Sequence, residues 1–214
     1  MPFQLVKMPK FVTWLYPKRI WAFSGSQNKV YLTFDDGPIP EVTPWVLKTL
    51  REYRAKATFF CIGENIQKHP ELFQKLLSEG HAIGNHTFHH LKGTKTSLKG
   101  YLEDVALGQD QIAKHTTQNP KKPKLFRPPY GRMTHSQAKS LLWEEYQIIM
   151  WTVLSYDWDL KVSPEQCLQN VIKNLQPGSI VVFHDSLKAK NNLEFALPKV
   201  LAYIREKGWE CATL

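Results

Sequence analysis

Past residue 28 the chain alternates between short apolar runs and longer amphipathic ones, and that alternation restricts the fold more than any other feature. A strand at 30–34 gives way to a helical run at 43–53. The apolar stretch ATFFCIG (57–63) precedes a second helical run, PELFQKLLSEG, that ends at Gly80. HAIGNHT (81–87), a long helical stretch at 98–115 and a short strand in KLFRP (124–128) follow. A helix near 136–146 leads to QIIMWTVL (147–154), whose apolar, branched and aromatic content is that of one buried strand. Ser163, Pro164 and Glu165 make a helix start, with Ser163 as cap and Pro164 in the first turn, and Pro177-Gly178 marks its stop. SIVVFHD (179–185) reads as a sixth strand, 193–207 as a helix stopped by Gly208, and WECATL (209–214) as a seventh strand. Such alternation builds a mostly parallel α/β sheet with helices packed outside it, open or closed into a barrel.

The 214 residues fit one domain, and no linker, repeat or low-complexity segment divides them. The basic stretch NPKKPKLF (119–126) reads as a loop inside the alternation. Residues 1–27 read as an N-terminal arm packed on a domain spanning 28–214. Lys7, Pro9, Lys10 and Pro17 interrupt the apolar patches of that arm, so it lacks the continuous core and cleavage site of a signal peptide. Trp14, Tyr16 and Trp21 beside Lys and Arg allow a weak membrane-surface role, with a packed arm as the favoured reading. No stretch approaches the ~20 apolar residues that span a bilayer. Cys61, Cys167 and Cys211 are odd in number and have no metal-like spacing, so they read as packed, reduced thiols. The expected address is cytoplasmic, or extracytoplasmic if an export signal is missing from this sequence. A formal net charge of +9 favours anionic partners or a solvated basic surface. No nucleic-acid-binding signature accompanies it, so neither nucleic acid nor a transmembrane segment is expected, and the chain is read as a monomer.

The unusual polar residues fall at the carboxyl ends of the expected strands, where the loops of parallel α/β folds converge on one face. Asp35 and Asp36 end the first strand, His86 follows the third, Arg127 ends the fourth, Asp157 follows the fifth and His184 ends the sixth. Adjacent Asp35 and Asp36 repel unless a cation sits beside them, and a divalent metal is the natural remedy. In HTFHH, His86 and His90 lie four apart and share a face if the segment makes a helical turn. His86 and His89 could pair almost as well. One aspartate and two histidines would make a set of three ligands with positions left open.

The motifs TFDDGP (33–38), HTFHH (86–90), RPPYG (127–131), SYDW (155–158) and VVFHD (181–185) occur in the order found in polysaccharide deacetylases with a NodB-like domain, the family-4 carbohydrate esterases. With KATFF (56–60) and the terminal EKGWECATL, the chain resembles that family over about residues 28–214. The resemblance implies a distorted (β/α)7 barrel and a metal-dependent hydrolase that removes N-acetyl groups from N-acetylglucosamine units of an oligo- or polysaccharide, of chitin-oligosaccharide or peptidoglycan type. It also implies roles. Asp36, His86 and His90 would hold zinc, with cobalt or another divalent ion also accommodated by the set. Asp35 would be the base, Arg127 would orient it, and the Tyr130 N–H would serve the oxyanion. His184 would be the acid, Asp157 its support, and Trp158 a wall of the acetyl pocket.

Pro129, Tyr130 and Tyr156 are further candidates for contact with the carbohydrate. Trp45, Trp143, Trp151 and Trp209 could stack on sugars, but packing is the simpler reading for Trp143 and Trp209, and His81 and His115 read as incidental. Cys61, just beyond the second strand, reads as a buried thiol. The sequence departs from the family at Leu154, where the fourth motif usually begins with a further acid. That puts the pocket wall, the support of His184 and the substrate preference in question. Acetyl-xylan-type O-deacetylation, cyclic imide or ureide hydrolysis, and glycan binding without turnover are the alternatives with the same site.

Overall fold

The first strand, β1 (Lys29–Asp35), is buried over six of its seven residues because it has neighbours on both sides. It pairs in parallel with β2 (Thr58–Cys61) and with β7 (Ile180–His184). The computed structural model describes residues 5–116 and 123–214, so residues 119–122 of the basic loop read from the sequence lie outside it. Outward from β2 come β3 (Ala82–Asn85), β4 (Lys124–Phe126) and β5 (Tyr146–Ile148); beyond β7 comes β6 (Val153–Leu154). The short β8 (Glu210–Cys211) pairs with the start of β1. Every ladder is parallel, and the sheet curls into a half-barrel with helices outside.

Alternation along β1 decides which residues face the helices and which face the hollow of the curl. Leu32 and Phe34 join the main core, where Phe34 stacks between Phe59 and Phe183 at centroid distances of 5.0 and 6.0 Å. Two outer helices, α2 (Thr43–Glu52) and α8 (Lys190–Glu206), add Leu47, Leu50, Leu197 and Val200 to that core. Each fully buried aromatic or aliphatic side chain of this kind contributes about 1.5–3 kcal/mol. Tyr31, Thr33 and Asp35 take the other face of β1, where Tyr31 meets Phe60, Leu125, Ile149 and Ile180. The same parity sends Thr33 and Asp35 toward Arg127.

The remaining helices follow the expected starts closely. Ser97 caps α5 (Leu98–His115), accepting from Gly100 N–H, and Ser163 caps α7 (Pro164–Ile172), accepting from Gln166 N–H. Thr134 and Gln137 form a reciprocal capping box at the start of α6 (His135–Trp143).

Four local expectations need correction. QIIMWTVL is not one strand but two: β5 pairs with β4, β6 pairs with β7, and the segment between crosses from one edge of the sheet to the other. Its backbone groups are diverted: Met150 N–H donates to Ile20 O, and the carbonyls of Ile149 and Met150 accept from Arg127. The helix expected to reach residue 146 stops at Trp143, since Glu145 adopts φ 64° and Tyr146 already belongs to β5. ATFFCIG ends as a strand at Cys61, which is therefore the last residue of β2, and Gly63 opens an unanticipated short helix, α3 (Gly63–Lys68). A Cβ on Gly63 would lie 2.7 Å from the Phe88 ring and 2.9 Å from Gly108 Cα, so a side chain is excluded there. After α3 the chain enters α4 (Pro70–Ser78) as expected.

One more helix, α1 (Lys10–Leu15), precedes the sheet. On either side of it the chain hydrogen-bonds along the crossing segment: Met8 N–H to Thr152 O, Leu154 N–H to Val6 O, and Ile20 N–H to Ile148 O. All three cysteines are unpaired; Cys61 and Cys167 are buried. Among the described residues no helix is long and apolar enough to cross a membrane.

Candidate active site

Arg127, the residue after β4, is fully buried and reaches across the hollow of the sheet. Its Nη1 donates to Asp35 Oδ1 at 2.7 Å and to Thr33 Oγ1 at 2.6 Å; Nε and Nη2 donate to Ile149 O and Met150 O. Thr33 in turn donates its hydroxyl proton to Val181 O. The guanidinium also lies over the Phe60 ring, 4.1 Å from its centroid. Burial would raise the Asp35 pKa, but Arg127, helped by His86 and His184, holds it below the ordinary aspartate value. Asp35 is therefore ionised at neutral pH. Arg127 takes its Oδ1 and leaves the second oxygen free of described hydrogen-bond donors.

Asp36 is committed differently. Its backbone is left-handed, φ 83°, and its carbonyl accepts from Asn65 Nδ2 at 2.7 Å. The next residue must be glycine, because a Cβ on Gly37 would sit 2.0 Å from Asp185 Oδ2. Asp185 accepts from Gly37 N–H and from the Thr43 hydroxyl, and burial together with the nearby Asp36 charge pushes its pKa up to about 8. Held this way, Asp36 presents Oδ1 3.3 Å from His90 Nε2 and 3.8 Å from His86 Nε2.

His86 and His90 do converge, but not through a helical turn. Residues 86–90 form a loop after β3 in which Thr87 and His90 take left-handed φ values of 64° and 57°. Asn85 accepts from Thr87 N–H, and Asp104 on α5 accepts from the N–H groups of both Phe88 and His89. Asp104 also holds the His89 ring at 2.5 Å, which removes His89 from the converging set. His86 Nδ1 lies 2.7 Å from Arg127 O. A carbonyl can only accept, so Nδ1 carries the proton and Nε2 turns its lone pair toward Asp36. Burial draws the His86 pKa down to about 4, which keeps the ring neutral.

Asp36 Oδ1 is buried and has no hydrogen-bond partner among the described residues. With His86 and His90 it forms a set whose ligand atoms lie within 4.8 Å of one another. An orphaned anionic oxygen facing two imidazole nitrogens is a donor set that fits a divalent cation.

On the far side of Asp35, His184 ends β7 and Asp157 lies in the loop after β6. Asp157 accepts from His184 N–H at 2.7 Å and holds His184 Nδ1 at 2.8 Å, so it fixes both backbone and ring. Burial lowers the His184 pKa, but the Asp157 charge and hydrogen bond, with Asp36 and Asp35 adding to them, carry it up to about 9. Asn192 from α8 anchors the Asp157 carbonyl. Leu154 leaves this support intact; its N–H donates to Val6 O, and both Asp157 bonds to His184 form without it. The Trp158 ring lies 4.6 Å from that of His184, with Tyr156 stacked on Trp158 at 5.0 Å. The Tyr156 hydroxyl bonds the Leu5 backbone.

RPPYG turns at the lip. Pro129 is buried, while the Tyr130 side chain is exposed and lies 4.7 Å from the His90 ring. Tyr130 is also left-handed, at φ 59°. The N–H groups of Gly131 and Arg132 fold back onto Pro128 O and Pro129 O, whereas that of Tyr130 donates to none of the described residues. Thr33, Asn65, Asp104 and Asp185 hold these residues in place and were not expected in the site. Thr33 opens TFDDGP and Asp185 closes VVFHD. Asn65 and Asp104 carried no local signal. His81 proves structural, its ring accepting from Ala57 N–H.

Residues 24–147 match the polysaccharide deacetylase family. The chain belongs to that family. A peptidoglycan-N-acetylglucosamine deacetylase of Bacillus cereus is 35% identical over 196 residues, covering 91% of this chain and 90% of the relative. Among solved structures, the Bc1960 peptidoglycan N-acetylglucosamine deacetylase in complex with 4-naphthalen-1-yl-N-oxidanyl-benzamide superposes with a TM-score of 0.87 at 31% identity, over 97% of this chain and 95% of that one. BA3943 from Bacillus anthracis, described as a CE4 family pseudoenzyme, superposes with a TM-score of 0.79 at 25% identity, over 90% of this chain and 66% of that one. A polysaccharide deacetylase fold can thus exist without turnover. The family is metal-dependent, and the Asp36–His86–His90 set is where this deacetylase can take the ion.

Proposed function

We propose that this deacetylase removes acetyl groups from N-acetylglucosamine units of an oligo- or polysaccharide of the peptidoglycan or chitin-oligosaccharide type, with residues 28–214 as catalytic domain and 1–27 as a bracing arm. The observation that carries the reading is the unequal treatment of two adjacent acids: Asp35 is locked onto Arg127, and Asp36 keeps an unpartnered oxygen beside two imidazoles.

Asp36, His86 and His90 would hold the ion, with zinc proposed. When bound, such an ion acts as a Lewis acid and draws the pKa of a coordinated water toward about 7. Asp35, ionised and fixed by Arg127, accepts the proton of the attacking water through its free oxygen. The Tyr130 N–H, which donates to none of the described residues, would donate to the oxygen of the acetyl carbonyl as it gains charge, a contribution typically worth about 3 kcal/mol. His184, protonated at neutral pH, gives its proton to the departing sugar amine, and Asp157 holds the ring in place for that transfer. Trp158 packs against His184 and would line the side of the site that takes the acetyl methyl. Water and the amide are consumed, and acetate and a free amine leave.

Acetate release from chito-oligosaccharides and peptidoglycan fragments, with and without a chelator, tests this reading. Turnover that a chelator abolishes and zinc restores is expected. Turnover indifferent to the chelator, or seen only with O-acetyl esters, contradicts it.

A further inference from the structure

At the end of the sheet opposite the strand-end site, the N-terminal residues build a second feature with no part in that chemistry. Phe11, Trp14 and Leu15 follow the i, i+3, i+4 spacing that makes one face of a helix, and a surface helix normally turns such a stripe inward. Here the stripe faces solvent, with Phe11 64%, Trp14 80% and Leu15 57% exposed. Val12 and the preceding Met8 take the inner side instead and pack on the cluster around Trp21, Tyr101 and Met150. Tyr16, which follows the helix, and Phe23 are exposed as well. Exposed apolar side chains gathered on one helix face in this way mark a contact surface.

The charge beside it says what the contact is. Residues 1–34 hold Lys7, Lys10, Lys18, Arg19 and Lys29 and no Asp or Glu, so this segment carries more than half of the net +9. A cavity of about 690 Å³ opens next to α1, lined among others by Lys7, Thr13, Arg19, Asn174, Gln176 and Ser179, and by no carboxylate among the described residues. The Arg19 guanidinium lies over the Tyr16 ring, 4.3 Å from its centroid. Two cations and several hydrogen-bonding groups around a space of that size suit a phosphate-bearing headgroup, and the outward Phe11, Trp14 and Leu15 suit the acyl boundary beside it.

We propose that this face docks on an anionic phospholipid surface, with Phe11, Trp14 and Leu15 at the interface and the Lys7–Arg19 cavity taking a headgroup phosphate. Thr152 and Ser179 precede β6 and β7, so the cavity lies at the amino ends of the strands, and the strand-end site of a docked molecule faces away from the bilayer. The binding is peripheral and reversible, in keeping with a six-residue helix.

Flotation of the purified full chain with vesicles tests the proposal. Phosphatidylcholine–phosphatidylglycerol vesicles should bind the protein at least about tenfold better than phosphatidylcholine alone, and added salt should weaken that binding. Phe11→Ser with Trp14→Ser should lose at least about tenfold in vesicle binding while keeping the wild-type melting midpoint, since both side chains are solvent-exposed. Lys7→Gln with Lys18→Gln, both exposed, should selectively lower binding to the anionic vesicles. Equal binding to both vesicle types, or full binding by the Phe11→Ser, Trp14→Ser variant, overturns the proposal. So does a solution dimer that the same variant dissociates, or retention on an anionic polysaccharide without vesicle binding, because either would assign the face to another partner.

Discussion

The carbonyl of Arg127 takes the Nδ1 proton of His86 at 2.7 Å, while the guanidinium of the same Arg127 grips Asp35 at 2.7 Å. One residue thus sets the tautomer of a candidate metal ligand through its backbone and the orientation of the candidate base through its side chain. Position and chemistry at the two ends of the site are mechanically linked by a single residue after β4.

Substituting the side chain separates those two roles. Arg127→Met leaves Asp35 buried without its cation, and removing one partner of such a pair costs about 3–5 kcal/mol. Chemical denaturation should show that loss, and acetate release should fall with it. The metal content per folded molecule should change far less, because the carbonyl that holds His86 remains.

Thr33 is the bridge between Arg127 and the Val181 carbonyl. Thr33→Val keeps the volume and removes both bonds, so it should destabilise the fold by about 1–3 kcal/mol. It should lower kcat with little effect on KM, as measured by steady-state acetate release.

The proposed acid, His184, should set the alkaline limit. Its folded pKa of about 9 lies above the ordinary 6.5, so the stabilisation from its pairing is complete below pH 6.5 and is lost as pH rises through about 9. Activity should decline over the same upper range as the general acid loses its proton. Asp157→Asn removes the main raising influence, and the alkaline limb of the rate profile should move down by about two pH units. An unmoved limb would assign that ionisation to another group.

Asp104 acts on the HTFHH loop from behind, accepting from Phe88 and His89 N–H and holding the His89 ring. Asp104→Ala frees the loop that carries His90, and losing an outer support of this kind typically costs about 10–100-fold in metal affinity. Chelator-competition titration reads that loss directly.

The sheet was legible in the strand–helix alternation, and the convergence of polar side chains at one end of it was legible because five of the seven expected strands ran into residues costly to bury there. Asp35, His86, Arg127, Asp157 and His184 were readable in that way. The split of residues 147–154 was not, because it depends on Ile20 and Arg127 claiming their backbone groups from afar. Nor was the backbone of the site. Asp36, Thr87, His90, Tyr130 and Tyr156 are all left-handed without being glycine, five of the eight such residues described. Local strain of this kind is sustained by tertiary contacts and leaves no residue-type signal. It is also why the i, i+4 histidine spacing succeeded without the helical turn that first suggested it.

The division of labour between neighbouring acids is the central claim, and metal content measured alongside turnover in two variants tests it most directly. Asp36→Asn should lose the bound ion and activity together. Asp35→Asn should retain the ion at wild-type stoichiometry and lose acetate release. Equal metal loss in both variants, or an active Asp35→Asn enzyme, would contradict the account.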